Sequence, residues 1–159
     1  MNLGNLKDFL RYDDETGKLY WKATSSNRVK VGDEAGSESQ GYVRVRILGK
    51  RVMAHKLVWY LVTDIWPDFE IDHVDRDRSN NRFSNLRKAS RSENFFNRTK
   101  YTSNTSGYKG VTQRGDKCIA QIAANGKGRY LGTFKSKEDA AIAYAEASKE
   151  LHGEYGRTN

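Results

Sequence analysis

The chain has a single cysteine, Cys118, and a single proline, Pro67, in 159 residues. One thiol excludes an intrachain disulfide and a cysteine-built zinc site. No apolar run approaches the roughly 20 residues that a membrane-crossing helix needs. Residues 1–5 lack the basic-then-apolar pattern of a signal peptide. The expectation is a reduced, soluble, cytoplasmic protein with no membrane partner. Acidic residues are also in deficit, 20 Asp and Glu against 28 Lys and Arg, which gives a formal charge of +8 and a pI near 9.6. The excess is spread along the chain, +2 over residues 1–50 and +3 over each of 51–100 and 101–159. It therefore sits on folded surfaces, not on a basic tail, and favours a polyanionic partner.

The pattern of what remains predicts an α+β protein. Leu6 to Tyr12 predicts a short helix, residues 13–18 a turn, and Leu19 to Trp21 a strand. Gly41 to Leu48 alternates apolar and basic residues as a half-buried strand does, and Gly49-Lys50 turns it into another. Apolar residues at 54, 57, 58, 61 and 62 predict a helix face over Met53 to Val62, closed by Pro67. Ser90-Arg91-Ser92-Glu93 spells a capping box, with Ser90 at the N-cap and Asn94 in the opening turns of the helix. Residues 99–107 are small and polar and predict a linker. Beyond it lie three strand-like runs, Tyr108–Arg114, Lys117–Asn125 and Arg129–Phe134, with turns at Gly115-Asp116 and Gly126-Lys127-Gly128. A helix capped at Ser136 then runs to about Leu151, where Gly153 stops it. The predicted organisation is a domain over 1–98 (β-rich in 1–52, with its key motif at about 70–98), a linker at 99–107, and a second domain over 108–159.

The chemistry concentrates in Asp72-His73, Asn85, twelve residues after the histidine, and Asn94, nine residues later. Asp72 and Asn94 offer hard oxygen donors suited to Mg²⁺ or Mn²⁺. A neutral histidine takes a proton from water. Alone, an Asp-His pair reads as a solvated couple on a strand, and Asn80, Asn81 and Asn85 as turn residues. Neighbours on a strand point to opposite faces, so strand twist or a bulge must bring both functions to one phosphate. Six arginines, at 76, 78, 82, 87, 91 and 98, flank the motif and suit phosphate contact; Arg87 is the first choice. His55, on the preceding helix, reads as structural or as a DNA-backbone contact, and His152 as a partner of the last helix's C-terminal dipole.

The run from Ile71 to Asn97 resembles the HNH endonucleases, in particular the phage and intron-encoded homing type whose last marker residue is Asn. The resemblance implies a ββα-metal fold clasping one divalent cation, Mg²⁺ or Mn²⁺. It implies His73 as general base, Asp72 and Asn94 as metal ligands, and Asn85 as the residue that holds the long loop and so orients His73. Residues 13–70 resemble the region preceding the motif in many phage proteins of this type.

The C-terminal motifs Tyr108-Lys109-Gly110-Val111, Ala120-Gln121-Ile122, Tyr130 to Phe134 and Glu138 to Tyr144 resemble an AP2/ERF DNA-binding domain over about residues 106–159. That implies a three-stranded antiparallel sheet lying in the major groove, with a helix packed behind it. Alternation puts Cys118, Ala120 and Ile122 toward the helix. Thr112, Arg114, Lys117, Gln121, Ala123 and Tyr130 then face DNA, with few strong base-reading side chains among them.

The resulting expectation is a metal-dependent endonuclease acting on double-stranded DNA, phage- or mobile-element-encoded, working in a bacterial cytoplasm as a monomer or weak homodimer. His73 would activate water, and the products would carry 5′-phosphate and 3′-hydroxyl ends. The alternative is a DNA-binding regulatory protein with a degenerate nuclease centre.

Overall fold

The computed structural model describes residues 6–23, 28–97, 104–124 and 126–158. They form a mixed α+β protein of small antiparallel sheets and helices that divides into two compact units at Ala89/Ser90.

In the first unit, α1 (Leu6–Phe9) runs straight into β1 (Leu10–Asp13), which pairs with β2 (Lys18–Trp21). The helix expected to reach Tyr12 is thus a single turn. Asp13 decides this. Its carboxylate accepts the backbone N–H groups of Glu15 and Thr16, and its carbonyl accepts that of Gly17, which folds the chain into a hairpin. Gly17 has φ of +75°, and a Cβ there would lie 2.5 Å from the Arg82 nitrogen, so the tip of this hairpin presses on the loop that follows β6. A second sheet has the order β3 (Ser37–Ser39), β4 (Tyr42–Ile47), β5 (Lys50–Met53); β3 carries no alternation and was not foreseen. Val45, Ile47 and Val52 turn inward from it.

Helix α2 (Ala54–Thr63) follows at once and packs Ala54, Leu57 and Val58 into the same core as Leu6, Leu10, Leu19, Ile71 and Leu86. Val62, expected on the buried face, is exposed; it lies in the last turn of α2, beyond the buried residues Ala54, His55, Leu57 and Val58. The last sheet of this unit is the hairpin of β6 (Glu70–His73) and β7 (Leu86–Ala89).

The second unit opens with α3 (Arg91–Phe96), and its capping box forms as written in the sequence. The Ser90 hydroxyl accepts the Glu93 N–H, and the Glu93 carboxylate accepts the Ser90 N–H at 2.6 Å. Of the predicted linker, residues 99–103 fall outside the described residues. Residues 104–107 form a built turn, in which buried Ser106 donates to the Val111 carbonyl at 2.8 Å. The sheet that follows has β9 (Lys117–Ala124) between β8 (Val111–Arg114) and β10 (Lys127–Phe134). Lys127 and Gly128, expected in the turn, are already in β10, paired with Ala124 and Ala123.

Helix α4 (Lys137–His152), capped by Ser136, lays Ala140, Tyr144 and Ala147 on the sheet. The fit is close. A Cβ on Gly110, at φ +71°, would run into the Tyr144 ring. His152 is a buried connector: Nε2 donates to the Ala123 carbonyl at 2.8 Å, and the ring stacks on Phe96 with centroids 3.7 Å apart. That stack holds α3 against the end of α4.

Candidate active site

The hairpin β6–β7 presents Asp72 opposite Arg87 and His73 opposite Leu86, with no bulge between the strands. Both Asp72 and His73 are 4% exposed. As alternation requires, they meet different partners.

The loop 74–85 is held from inside by Asn85. Its Nδ2 donates to Asp75 Oδ1 and to the Asn80 carbonyl, both at 2.8 Å, while its Oδ1 accepts the Asp75 N–H at 2.9 Å. Its own carbonyl takes the Val74 N–H. Asp75 also accepts Asn80 Nδ2 and the Asp77 N–H, and Asp77 accepts both the hydroxyl and the N–H of Ser79. The β1–β2 hairpin braces the loop from outside. Tyr12 Oη accepts the Phe83 N–H at 2.7 Å, and Arg82 Nε donates to the Glu15 carbonyl at 2.7 Å. Asn85 does not itself touch His73.

The residue that does is Asn81, which the sequence offered only as a turn residue. It is 3% exposed. Its Nδ2 donates to the Ser79 carbonyl, so its Oδ1 faces His73 Nε2 at 3.2 Å and accepts from it. In a neutral imidazole one nitrogen donates and the other carries the lone pair. Asn81 fixes Nε2 as the donor, so Nδ1 is the basic nitrogen. The ring is packed edge-on by His55 at 5.3 Å and Tyr42 at 6.3 Å between centroids. Burial pushes the His73 pKa below the ordinary histidine value, against the opposing pull of Asn81 and of the Asp75, Asp72 and Asp77 charges. His73 is therefore neutral at neutral pH, the state a general base needs.

His55 is pushed further, down to about 3, first by burial and then by the neighbouring His73 and Lys56. Its depressed value means that the folded unit binds no proton there while the unfolded chain does. The stabilisation is whole above pH 6.5 and is lost as pH falls toward 3, at roughly 1.4 kcal/mol per pH unit across that window. All three tryptophans, at 21, 59 and 66, lie in the first unit. Urea midpoints followed by their fluorescence should fall steeply between pH 6.5 and 4 in the wild type and less steeply in His55→Gln. Parallel curves would refute the assignment.

Asp72 is engaged across the hairpin by Arg87, whose Nε and Nη2 both lie within 2.9 Å of Oδ2. Arg87 was the first choice for phosphate contact, but its guanidinium is turned inward onto Asp72 because the register sets the two directly opposite each other. The other arginines divide by environment. Arg82 is tied to the Glu15 carbonyl and to Asn80, Arg78 lies over the Tyr42 ring at 4.9 Å, and Arg76 is exposed at φ +72°. Arg91 and Asn94 belong to the second unit, on α3, where Asn94 donates its N–H to the Ser90 carbonyl. Arg98 lies outside the described residues. No group of three His, Cys, Asp or Glu gathers as a metal cluster among the described residues.

In the second unit, Cys118, Ala120 and Ile122 are buried against the helix, as alternation predicts. Thr112, Arg114, Lys117, Gln121, Ala123 and Tyr130 are all exposed. A bulge between Tyr130 and Gly132 sends Leu131 into the core and keeps Tyr130, 64% exposed, on the open face, hydrogen-bonded to Thr133. The register adds Ile119 and Thr133 to this face.

Residues 52–95 match the model of the HNH endonuclease family. A protein of Acanthamoeba polyphaga mimivirus named as an HNH endonuclease is 31% identical over 121 residues, 75% of this chain and 63% of its own length. Protein 3.8 of Escherichia phage T7 is 32% identical over 106 residues, 65% of this chain and 87% of its own length. An Arabidopsis thaliana protein named as a dehydration-responsive element-binding protein is 47% identical over 55 residues, 33% of this chain and 35% of its own. The chain thus spans under two thirds of the mimivirus protein and about a third of the plant one. No solved structure matches. No helix among the described residues is long and apolar enough to cross a membrane.

Proposed function

We propose that this chain, which belongs to the family of Protein 3.8 and carries an HNH endonuclease domain over residues 52–95, hydrolyses phosphodiester bonds in double-stranded DNA by the homing-type HNH reaction. The observation that carries the reading is the His73–Asn81 pair. A buried histidine, neutral and tautomer-fixed by an acceptor on Nε2, leaves Nδ1 as the base for water. Asn85 is a positioning residue: it closes the loop that carries Asn81, and so aims His73 without touching it. In this reading β6, β7 and α3 would be the three elements of the ββα-metal fold that the sequence resemblance implies.

The donor chemistry fits one hard cation. Asp72 and Asn94 would hold Mg²⁺ or Mn²⁺ through carboxylate and amide oxygens, the donors those ions prefer. When bound, the ion supplies charge neutralisation at the phosphate and stabilisation of the leaving 3′ oxygen. Arg87 keeps the Asp72 carboxylate in place. Water attack aided by His73 leaves a 5′-phosphate and a 3′-hydroxyl. One centre per chain nicks, and cutting both strands takes a second copy or a second visit.

The second unit, an AP2/ERF-like module in this reading, delivers the centre to duplex DNA. Support comes from the plant relative's name and from an exposed face that offers Arg114, Lys117, Gln121 and Tyr130. Arg76, Arg78 and Arg91 remain the phosphate contacts of choice near the cut. Incubation with supercoiled plasmid tests the whole reading. Nicked circles sealable by DNA ligase should accumulate with Mg²⁺ or Mn²⁺, and none with excess chelator. Intact plasmid under every metal condition would remove the nuclease assignment.

A further inference from the structure

The first unit contains a cleft of about 490 Å³, lined by Trp21, Ser37, Ser39, Arg44, Arg46 and Arg51 among others, that the reaction above does not use. We propose that it seats the sugar–phosphate backbone of the DNA strand beyond the scissile bond. The proposal rests on the nuclease reading for its ligand class and on the following geometry for its place.

Arg44 and Arg46 stand two residues apart on β4, on one strand face and about 7 Å apart along it. Arg51 lies directly opposite Arg46 in the β4–β5 register. Like charges facing each other across a sheet are destabilising, and no acidic side chain among the described residues relieves them. Among the described residues neither Arg46 nor Arg51 has an acidic partner. The carboxylate that lines the cleft, Glu34, is taken by Lys18 at 2.7 Å. Arg44 donates to Gln40 through Nη2, but its Nε is buried with no acceptor. Three guanidiniums, one of them holding an unsatisfied buried donor, call for an anionic ligand with several acceptor oxygens, and Arg forks match phosphate geometry. Ser37 and Ser39 add hydroxyls, and Trp21 a flat apolar wall for sugar or base.

Direction settles which phosphates these are. By the same alternation, Tyr42 shares the face of Arg44 and Arg46, and Tyr42 is one of the two residues whose rings meet His73 edge-on. Arg78 sits over the Tyr42 ring. The β4 face therefore runs as a basic track from Tyr42, beside the general base, through Arg44 to Arg46, four residues or about 13 Å along the strand and lining the cleft. A polymer cut at His73 would lie along it, whereas a free nucleotide would have no use for the track.

Salt dependence of binding tests this. Arg46 and Arg51 are exposed, so Arg46→Gln/Arg51→Gln leaves the core untouched. In a His73→Ala background, the affinity for a ~30-bp duplex would be read by fluorescence anisotropy between ~50 and ~200 mM salt, where each phosphate contact contributes about −0.9 to the log–log slope. The expected result is a slope shallower by about 2 and a loss of tenfold or more in affinity at the low-salt end. Lys137→Gln/Lys149→Gln, which removes two charges on α4, should leave the slope near that of its parent. An unchanged slope in the arginine variant, or an equal loss in the lysine variant, overturns the proposal. Plasmid nicking by the otherwise wild-type chain separates the two ideas. Absence of nicking there removes the nuclease reading, while the slope still decides whether the cleft holds DNA.

Discussion

Replacing His73 by alanine should reduce plasmid nicking by about 10²- to 10⁴-fold, the range that a positioned general base supplies, while leaving duplex binding in place. The binding surfaces named above do not include the imidazole, so kcat carries the loss and the affinity does not. The ring is 4% exposed and is packed by His55 and Tyr42, so truncation also opens a cavity at a cost of about 1–3 kcal/mol. His73→Gln separates the two effects. Its side-chain amide can still donate to Asn81 and fills most of the space, yet it cannot take a proton from water. The glutamine variant should melt close to the wild type and be as inactive as the alanine variant. Equal nicking by either variant and the wild type would sink the base assignment, and inactivity of alanine alone would reduce His73 to a packing residue.

Much of this centre could be read in the sequence, and the missed parts share a cause. Local signals are written in neighbouring residues. The Ser90–Glu93 box, the Ser136 cap and the alternation of Cys118, Ala120 and Ile122 depend on contacts within a turn or along one strand, and each forms as spelled. Asn85 was singled out by its spacing from His73, and the structure gives that residue a dense set of loop contacts. Asn81 was not singled out, because an Asn in a polar run looks like any turn residue until the loop closes and buries it. Arg87 was read as a phosphate contact because it is a cation that follows Asn85 beside the motif. Only the pairing of β6 with β7 sets it opposite Asp72, and that register spans the loop 74–85. The first helix failed for a similar reason, since Leu6 to Tyr12 has helical periodicity but the Asp13 turn recruits residues 10–13 into a hairpin. The Arg44–Arg46–Arg51 cleft needed two strands and their register before the charges could be seen to converge.

The pairing of Asp72 with Arg87 carries the second large expected effect, because stability and activity should separate there. Asp72→Ala leaves a guanidinium whose side chain is only 15% exposed without its carboxylate. Breaking such a pair from one side costs about 2–4 kcal/mol, less than for a fully buried ion because Arg87 retains some water. Arg87→Met removes the guanidinium from the Asp72 carboxylate, whose side chain is 5% exposed, at a similar cost. The double variant Asp72→Leu/Arg87→Met replaces both charges by apolar side chains and should recover most of the loss, because an apolar pair of similar volume commonly matches a buried ion pair. Urea midpoints by tryptophan fluorescence report this unit, and the coupling between the two sites should exceed about 1 kcal/mol. Activity should not follow stability. Asp72→Ala and the refolded double variant both lack the proposed oxygen ligand and should nick at background. Arg87→Met keeps the ligand but loses its support and should retain about 1–10% of the wild-type rate, as loss of a residue that orients a metal ligand typically does. Additive stabilities would show that the contact is worth little in solution. A stable double variant that nicks at the wild-type rate would show that Asp72 serves only to balance Arg87, and the cation would then have to be held by other residues.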